Sequence, residues 1–69
     1  MPICFANYNE NLVIQRISGS DRIKKHLENL GVIPGEEIRL INKVNKNSII
    51  KIKGISLAIS EELARRILV

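Results

Sequence analysis

The sequence is short of the residues that build cross-links, stacking surfaces and metal centres. Its 69 residues include one cysteine, one histidine, one tyrosine, one phenylalanine and no tryptophan. Cys4 has no second thiol with which to form an internal disulfide, which is typical of a reducing compartment. The first residues lack the basic segment and apolar stretch of a secretory signal, so we expect a cytoplasmic protein. No apolar run approaches the roughly 18 residues of a membrane span, and we expect no insertion into a bilayer.

The side chains that nucleophilic catalysis needs are also scarce. His26 is the only histidine, so any catalytic set with a histidine base would depend on that one side chain. The chain has no glycine-rich loop that would cradle phosphate groups, and its length leaves little volume for a substrate pocket. We therefore predict that the protein is not an enzyme.

Metal ligands are few. A stable transition-metal site usually draws three or four ligands, and Cys4 and His26 are the only soft ones. We interpret Cys4 as a small buried apolar residue and His26 as an exposed residue on a helix flank. Glu36-Glu37 and Glu61-Glu62 offer oxygen ligands, but such adjacent carboxylates are mostly solvated or complement a helix dipole. We predict that no cofactor is required, and weak binding of Fe(II) or Zn(II) stays open.

The chain is rich in branched aliphatic side chains and carries a net positive charge. Hydrophobic residues make up 45% of it, and thirteen residues are isoleucine. Such β-branched side chains favour strands, and this length suits one small domain, residues 1–69, around a single compact core. Eleven lysines and arginines against seven acidic residues give a net charge of +4. A charge of this size fits either an anionic partner or plain solubility.

The first half of the chain predicts one strand and one helix. Apolar residues occupy both alternating sets over residues 12–17, which predicts a strand buried on both faces. Ser20, followed by an acidic residue, is typical of a helix N-cap. The helix then carries one apolar stripe, formed by Ile23, Leu27 and Leu30. Gly31 stands at the left-handed position after the helix and Val32 follows it, which predicts a Schellman-type ending.

The second half predicts a hairpin and a short helical turn. Pro34-Gly35 is typical of a type II turn. Alternating residues then predict a long hairpin over 38–53 with a polar tip at 45–47. After the hairpin we predict a short strand over 57–59, a helical turn over 61–66 capped by Ser60, and a final strand over 67–69. The whole predicts a mainly β fold, a small SH3-like barrel with one amphipathic helix and a short C-terminal helical turn.

The order of these features resembles that of a known family. The segments that carry the resemblance are Arg16-Ile17-Ser18-Gly19, Leu27-Glu28-Asn29-Leu30-Gly31, Val32-Ile33-Pro34-Gly35, Leu57-Ala58-Ile59-Ser60, Leu63-Ala64 and Ile67-Leu68-Val69. Together they are similar to the ferrous iron transport protein A family (FeoA-like domains) over nearly the whole chain. The resemblance implies an SH3-like barrel that acts in iron homeostasis in the bacterial cytoplasm. Such a module is a regulatory accessory to the membrane ferrous iron transporter, whose cytoplasmic portion carries a GTPase domain. The family is associated with transition metal ion binding and has no catalytic residues to carry over.

The hairpin and the turn before it hold the candidate contacts for this partner. Alternate strand positions share a face, so we expect Arg39, Lys43, Lys51 and Lys53 to gather on one face of the hairpin. The partner-binding candidates are Pro34, Gly35, Arg39, Lys51 and Lys53. Exposed strand edges in a small barrel also leave weak homo-oligomer formation open.

A small basic barrel that binds nucleic acid is the alternative function. The same basic side chains would attract phosphate groups, and binding would then depend steeply on salt. Small barrels that bind single strands stack bases on exposed aromatic residues, however, and Phe5 and Tyr8 make a meagre platform. We therefore favour the protein partner.

Overall fold

Six short strands and two helices make up the fold, and the computed structural model describes all 69 residues. In chain order the elements are a 3₁₀ turn at Ile3–Phe5, β1 at Leu12–Val13, β2 at Arg16–Ile17, α1 at Asp21–Asn29, β3 at Glu37–Val44, β4 at Asn47–Ile52, β5 at Ile55–Ser60, α2 at Glu61–Ala64 and β6 at Ile67–Leu68. The strands form an antiparallel four-stranded sheet in the order β1-β3-β4-β5 and a two-stranded sheet of β2 with β6. The prediction of a mainly β fold with one amphipathic helix and a short C-terminal helical turn is confirmed. No helix in the chain combines the length and the apolar content that crossing a bilayer requires.

The core lies between the two sheets and α1. It contains fourteen buried apolar residues, which are Ile3, Cys4, Ala6, Ile14, Ile17, Leu27, Val32, Ile38, Leu40, Ile50, Ile52, Ile59, Ala64 and Ile67. Each isoleucine or leucine that is fully buried contributes about 1.5–3 kcal/mol through removal of apolar surface from water. Cys4 is completely buried, as predicted, and it lies on the 3₁₀ turn.

The single strand predicted over residues 12–17 is wrong, because the chain changes sheet in its middle. Leu12 pairs with Ile38 in the large sheet, whereas Arg16 pairs with Leu68 in the small one. Ile14 lies at the change. Its backbone N–H donates to the Glu36 carbonyl at 2.9 Å and its carbonyl accepts from Gly35 at 2.8 Å. Long-range hydrogen bonds therefore divide a segment whose local pattern is continuous.

Helix α1 begins and ends where the sequence predicts. The Ser20 hydroxyl accepts a hydrogen bond from the Ile23 N–H at 3.3 Å. At the other end Gly31 has φ of +85°, and the Val32 N–H donates to the Leu27 carbonyl at 2.9 Å. This six-to-one bond completes the Schellman motif. Leu27 is fully buried, whereas Leu30 is 37% exposed, so the apolar stripe fades at its last position.

The turn after α1 is the predicted type II turn. The Glu36 N–H donates to the Ile33 carbonyl at 3.2 Å across it, and Gly35 has the positive φ, +93°, that this turn requires. Because the Gly35 N–H also donates to Ile14, the turn is fixed to the strand region before α1.

Two connected hairpins form the large sheet. Asn45, with φ of +56°, lies in the tip between β3 and β4, and Lys53 and Gly54 form a two-residue turn between β4 and β5. The pairing of β3 with β4 shifts between Leu40 and Asn42, so Ile41 is an extra residue, a β-bulge. This bulge decides on which face of the sheet the following residues lie.

The C-terminal segment also follows the prediction, with a shorter helix. The Ser60 hydroxyl caps α2 by accepting from the Leu63 N–H at 3.2 Å. The helix ends at Ala64, two residues before the predicted end, and β6 then pairs with β2.

Candidate functional site

A cluster of five charged side chains surrounds a shallow depression where β1, β3 and β4 meet. Its volume is about 400 Å³. No hydrophobic residue lines it, and we call it the basic depression after its three cations. The lining residues are Asn11, Glu36, Glu37, Arg39, Lys51, Lys53 and Gly54. Three of the five predicted partner contacts therefore lie together.

The register of the hairpin places two cations side by side. Arg39 on β3 is directly opposite Lys51 on β4, and both side chains are on the outer face, since their neighbours Leu40 and Ile50 point into the core. Like charges directly opposite each other destabilise an antiparallel pair. Both side chains are only partly buried.

Neither of the two glutamates of the basic depression, Glu36 and Glu37, forms an ion pair with Arg39 or Lys51. Lys53 lies 3.6 Å from Glu36, and the second ion pair of the structure joins Arg65 to Glu61 on α2. Arg39 and Lys51 thus have no carboxylate partner. An anion from outside could contact both, and the guanidinium of Arg39 offers the fork geometry that suits a carboxylate or phosphate.

The prediction that Lys43 shares this face is wrong. Because the bulge at Ile41 adds one residue to β3, Lys43 lies opposite Ser48, which is buried on the inner face. Its ammonium group is instead 5.7 Å from the centre of the Phe5 ring. Alternation alone would have placed Lys43 with Arg39, and the bulge reverses that placement.

A second depression surrounds Lys43, and we call it the aromatic depression. It is lined by Cys4, Phe5, Ala6, Asn7, Tyr8 and Lys43. Phe5 and Tyr8 are 60% and 53% exposed. Sequence reasoning identified these aromatic residues but did not bring them together with a lysine, because only the bulge directs Lys43 towards them.

The two remaining partner candidates lie apart from the basic depression. Pro34 lines a groove of about 330 Å³ between α1 and β2, together with Lys24 and Glu28. Gly35 is exposed and adjoins Glu36, but its N–H is already bonded to Ile14. The predicted contacts therefore fall on two surfaces, and the turn 33–36 connects them.

Sequence reasoning missed Asn11 as a lining residue and weighed Glu36 as a metal ligand. Asn11 precedes β1, whose two residues pair with the start of β3. A two-residue strand has no periodicity that a sequence could display, so its partner could not be predicted. Glu36 forms the ion pair with Lys53. The only signal for this pair in the sequence is that Glu36 lies just before the first strand of the predicted hairpin and Lys53 ends the second, so the two residues lie at the same end of the hairpin.

The metal-ligand candidates are dispersed in the structure. Cys4 is buried in the core, and His26 is exposed on α1, as predicted for both. Glu36 is paired with Lys53, and Glu61 with Arg65 at 3.0 Å. No three His, Cys, Asp or Glu side chains come together in an arrangement that could hold a metal ion.

Comparison with solved structures identifies the fold. The chain superimposes on the zinc complex of Stenotrophomonas maltophilia FeoA, described as a prokaryotic SH3 domain protein, with a TM-score of 0.83 and 20% identity over 99% of this chain and 87% of that one. The solution structure of iron(II) transport protein A from Clostridium thermocellum gives a TM-score of 0.88 and 21% identity over 99% of this chain and 43% of that one. The predicted SH3-like barrel is therefore confirmed.

Comparison of sequences extends this likeness to the family. A Methanocaldococcus jannaschii protein that carries the name Fe(2+) transport protein A is 29% identical over 68 residues, which cover 99% of this chain and 83% of that protein. The family model described as the FeoA domain matches residues 1–69. Since this match spans every residue, and since the barrel, the glycine-ended helix and the Pro34-Gly35 turn all occur as the resemblance implied, the chain belongs to the FeoA domain family.

Proposed function

We propose that the protein is a cytoplasmic accessory factor of ferrous iron transport that binds the GTPase portion of a membrane Fe(II) transporter. The observation that carries this proposal is the FeoA domain match over the entire chain. The name of the Methanocaldococcus jannaschii relative, Fe(2+) transport protein A, supports the same process. The protein acts in this role by binding, with no catalytic step and no required cofactor.

The basic depression is the surface that we assign to the partner. Its two cations without a carboxylate partner, Arg39 and Lys51, lie on paired strands of the sheet. An acidic segment of the partner can therefore bind them without the entropic cost of ordering a loop of this protein. The intramolecular ion pair between Lys53 and Glu36 is exposed, and exposed pairs of this kind contribute only about 0–1 kcal/mol. The pair can therefore open at little cost, and Lys53 then becomes a third contact.

Regulation follows from differential binding. A module that binds one nucleotide state of the GTPase domain more tightly than the other shifts the population towards that state by the ratio of the two affinities. The readout of the proposed function is therefore a change in the rate of GTP hydrolysis or nucleotide release when the module is added.

The test is a titration of this protein into the purified cytoplasmic GTPase domain of the ferrous iron transporter from the same organism. We expect saturable binding, and we expect the double variant Arg39→Gln/Lys51→Gln to raise Kd by about tenfold or more, because both ion pairs with the partner are lost. The matched control is Arg22→Gln/Lys25→Gln, which removes the same two charges from the exposed face of α1. We expect that control to change Kd by less than about threefold, through long-range attraction alone.

Two results would contradict the proposal at different levels. If the unmodified protein shows no binding and no effect on GTP hydrolysis, the partner is wrong. If both double variants weaken binding equally, the partner is right and the assignment to the basic depression is wrong.

Binding of single-stranded nucleic acid is the second candidate function, and the aromatic depression favours it. Phe5 and Tyr8 are more than half exposed beside Lys43, and base stacking on such a pair is worth about 1–3 kcal/mol per base. A fluorescent oligonucleotide titrated at low salt tests this candidate. Binding that is lost in both Phe5→Ala and Tyr8→Ala would support it, and the absence of binding at low salt would exclude it.

A further inference from the structure

Strand β5 has an unprotected edge. It is the last strand of the four-stranded sheet, so β4 is its only neighbour. Its six residues, Ile55-Ser56-Leu57-Ala58-Ile59-Ser60, include no charge and no proline, and its pairing with β4 is regular throughout. Natural edge strands are usually protected by charges, prolines, bulges or a covering element, because an open edge is a template for a further strand.

The backbone of β5 presents two residues to this edge. Ile52 and Ile55 flank the two-residue turn Lys53-Gly54, in which both residues have positive φ. In a hairpin of this kind the flanking residues bond to each other, and the direction of the backbone groups then alternates. The N–H and C=O groups of Ser56 and Ala58 therefore point away from β4. No other hydrogen bond of the structure uses them, and both residues are exposed.

The side chains of β5 leave apolar surface next to this edge. Ile55, Leu57 and Ile59 point to the same side of the sheet as the core residues Ile50 and Ile52, with which the register pairs Leu57 and Ile55. Ile59 is buried, Leu57 is only partly buried, and Ile55 is 59% exposed. The apolar surface of the core therefore extends from buried Ile59 to exposed Ile55 along the open edge.

We propose that this edge pairs with β5 of a second copy of the chain, antiparallel, across a twofold axis at Leu57. In this register Ser56 lies opposite Ala58 of the other copy, and each of these two symmetric pairs exchanges two backbone hydrogen bonds. Leu57 then lies opposite its own counterpart, and Ile55 lies opposite Ile59 of the other copy on the core side. The outcome is a continuous eight-stranded sheet.

Charge and size both select a second copy as the occupant. A twofold axis pairs β5 with an identical strand, so charges of one sign on it would face one another across the axis, and β5 has no charge. The neighbouring strand β4, by contrast, carries Lys51 and ends next to Lys53. On the outer face this register places Ser56 opposite Ala58 of the other copy, and these small side chains allow the two strands to approach closely. The exposed surface of Ile55 is covered on the other face.

Sedimentation equilibrium from micromolar to millimolar concentration tests this proposal. We expect a reversible monomer–dimer equilibrium. Ala58→Pro removes an outward N–H that β4 does not use, at an edge position where proline is tolerated. Because the dimer loses two of its four inter-chain hydrogen bonds, we expect its Kd to rise by about tenfold or more. Ala58→Ser keeps the N–H and is the matched control, with Kd unchanged.

A second variant and a second readout keep the test independent of folding defects. Ile55→Glu alters an exposed side chain without changing the backbone, and we expect it to weaken the dimer because two carboxylates enter the paired face. Amide hydrogen exchange of the unmodified protein should slow at Ser56 and Ala58 as concentration rises. A protein that stays monomeric at millimolar concentration would overturn the proposal and leave the edge to a strand of another protein. A dimer whose Kd is the same in both variants, or whose protected amides lie elsewhere, would also overturn it.

Discussion

At the scale of single residues, two glycines hold the turn region that separates α1 from the basic depression. Gly31 and Gly35 have φ of +85° and +93°. Apart from the glycine itself and the two residues adjacent in the chain, a Cβ atom at either position would have no atom within 4 Å. A side chain there is consequently opposed by the backbone conformation alone, and not by crowding. Substitutions at these two positions therefore measure backbone strain without a contribution from steric clashes.

We expect Gly31→Ala and Gly35→Ala each to lower the free energy of unfolding by about 1–2 kcal/mol, because an L-residue is forced into the left-handed region. Urea denaturation followed by circular dichroism measures the change. The control is D-alanine at the same positions in the chemically synthesised chain, since D-residues prefer positive φ. We expect D-alanine to preserve or raise stability, because it restricts the unfolded chain. Equal midpoints for the L- and D-alanine proteins would show that φ is not the cause.

At the scale of elements, α1 depends on the residue that caps it as well as on its buried stripe. The helix has nine residues, which is too short to be stable in isolation. Packing of Leu27 supplies most of its stability, and the Ser20 hydroxyl satisfies one of the N–H groups that the first turn leaves without a partner. The cap therefore fixes where α1 begins, and with it the groove that α1 forms with Pro34.

We expect Ser20→Ala to lower the free energy of unfolding by about 1 kcal/mol, because the Ile23 N–H loses its acceptor. Thermal unfolding measures the effect, and Ser20→Asn, which also caps helices, should retain the original stability. If alanine and asparagine destabilise the protein equally, the hydroxyl is not acting as a cap.

The same elements show what the sequence could predict and why the rest was hidden. The caps at Ser20 and Gly31 depend on neighbours within one helical turn, so local residue types were sufficient. The division of the strand at Ile14 and the bulge at Ile41 depend on hydrogen bonds to residues that are distant in sequence. Neither leaves a local pattern. This is why Arg39, Lys51 and Lys53 were placed together correctly and Lys43 was not.

At the scale of the whole molecule, net charge makes the two proposed associations respond differently to salt. Each copy carries a charge of +4, so two copies repel each other as they approach. Pairing through the uncharged strand β5 depends on backbone hydrogen bonds and apolar contact, which salt does not weaken. Docking through the basic depression depends on attraction between Arg39, Lys51 and an acidic partner, which salt screens.

We therefore expect the two dissociation constants to respond differently as sodium chloride rises from about 0.05 M to 0.5 M, a change that shortens the screening length severalfold. The Kd of the dimer should fall or stay constant, because repulsion between the copies is removed. The Kd for the GTPase domain should rise by about tenfold or more, because two ion pairs are screened. Sedimentation equilibrium and the binding titration, made in the same buffers, measure both. If the two constants rise in parallel, charged groups mediate self-association and β5 is not the dimer contact. If neither changes, attraction between Arg39, Lys51 and an acidic partner does not contribute to docking.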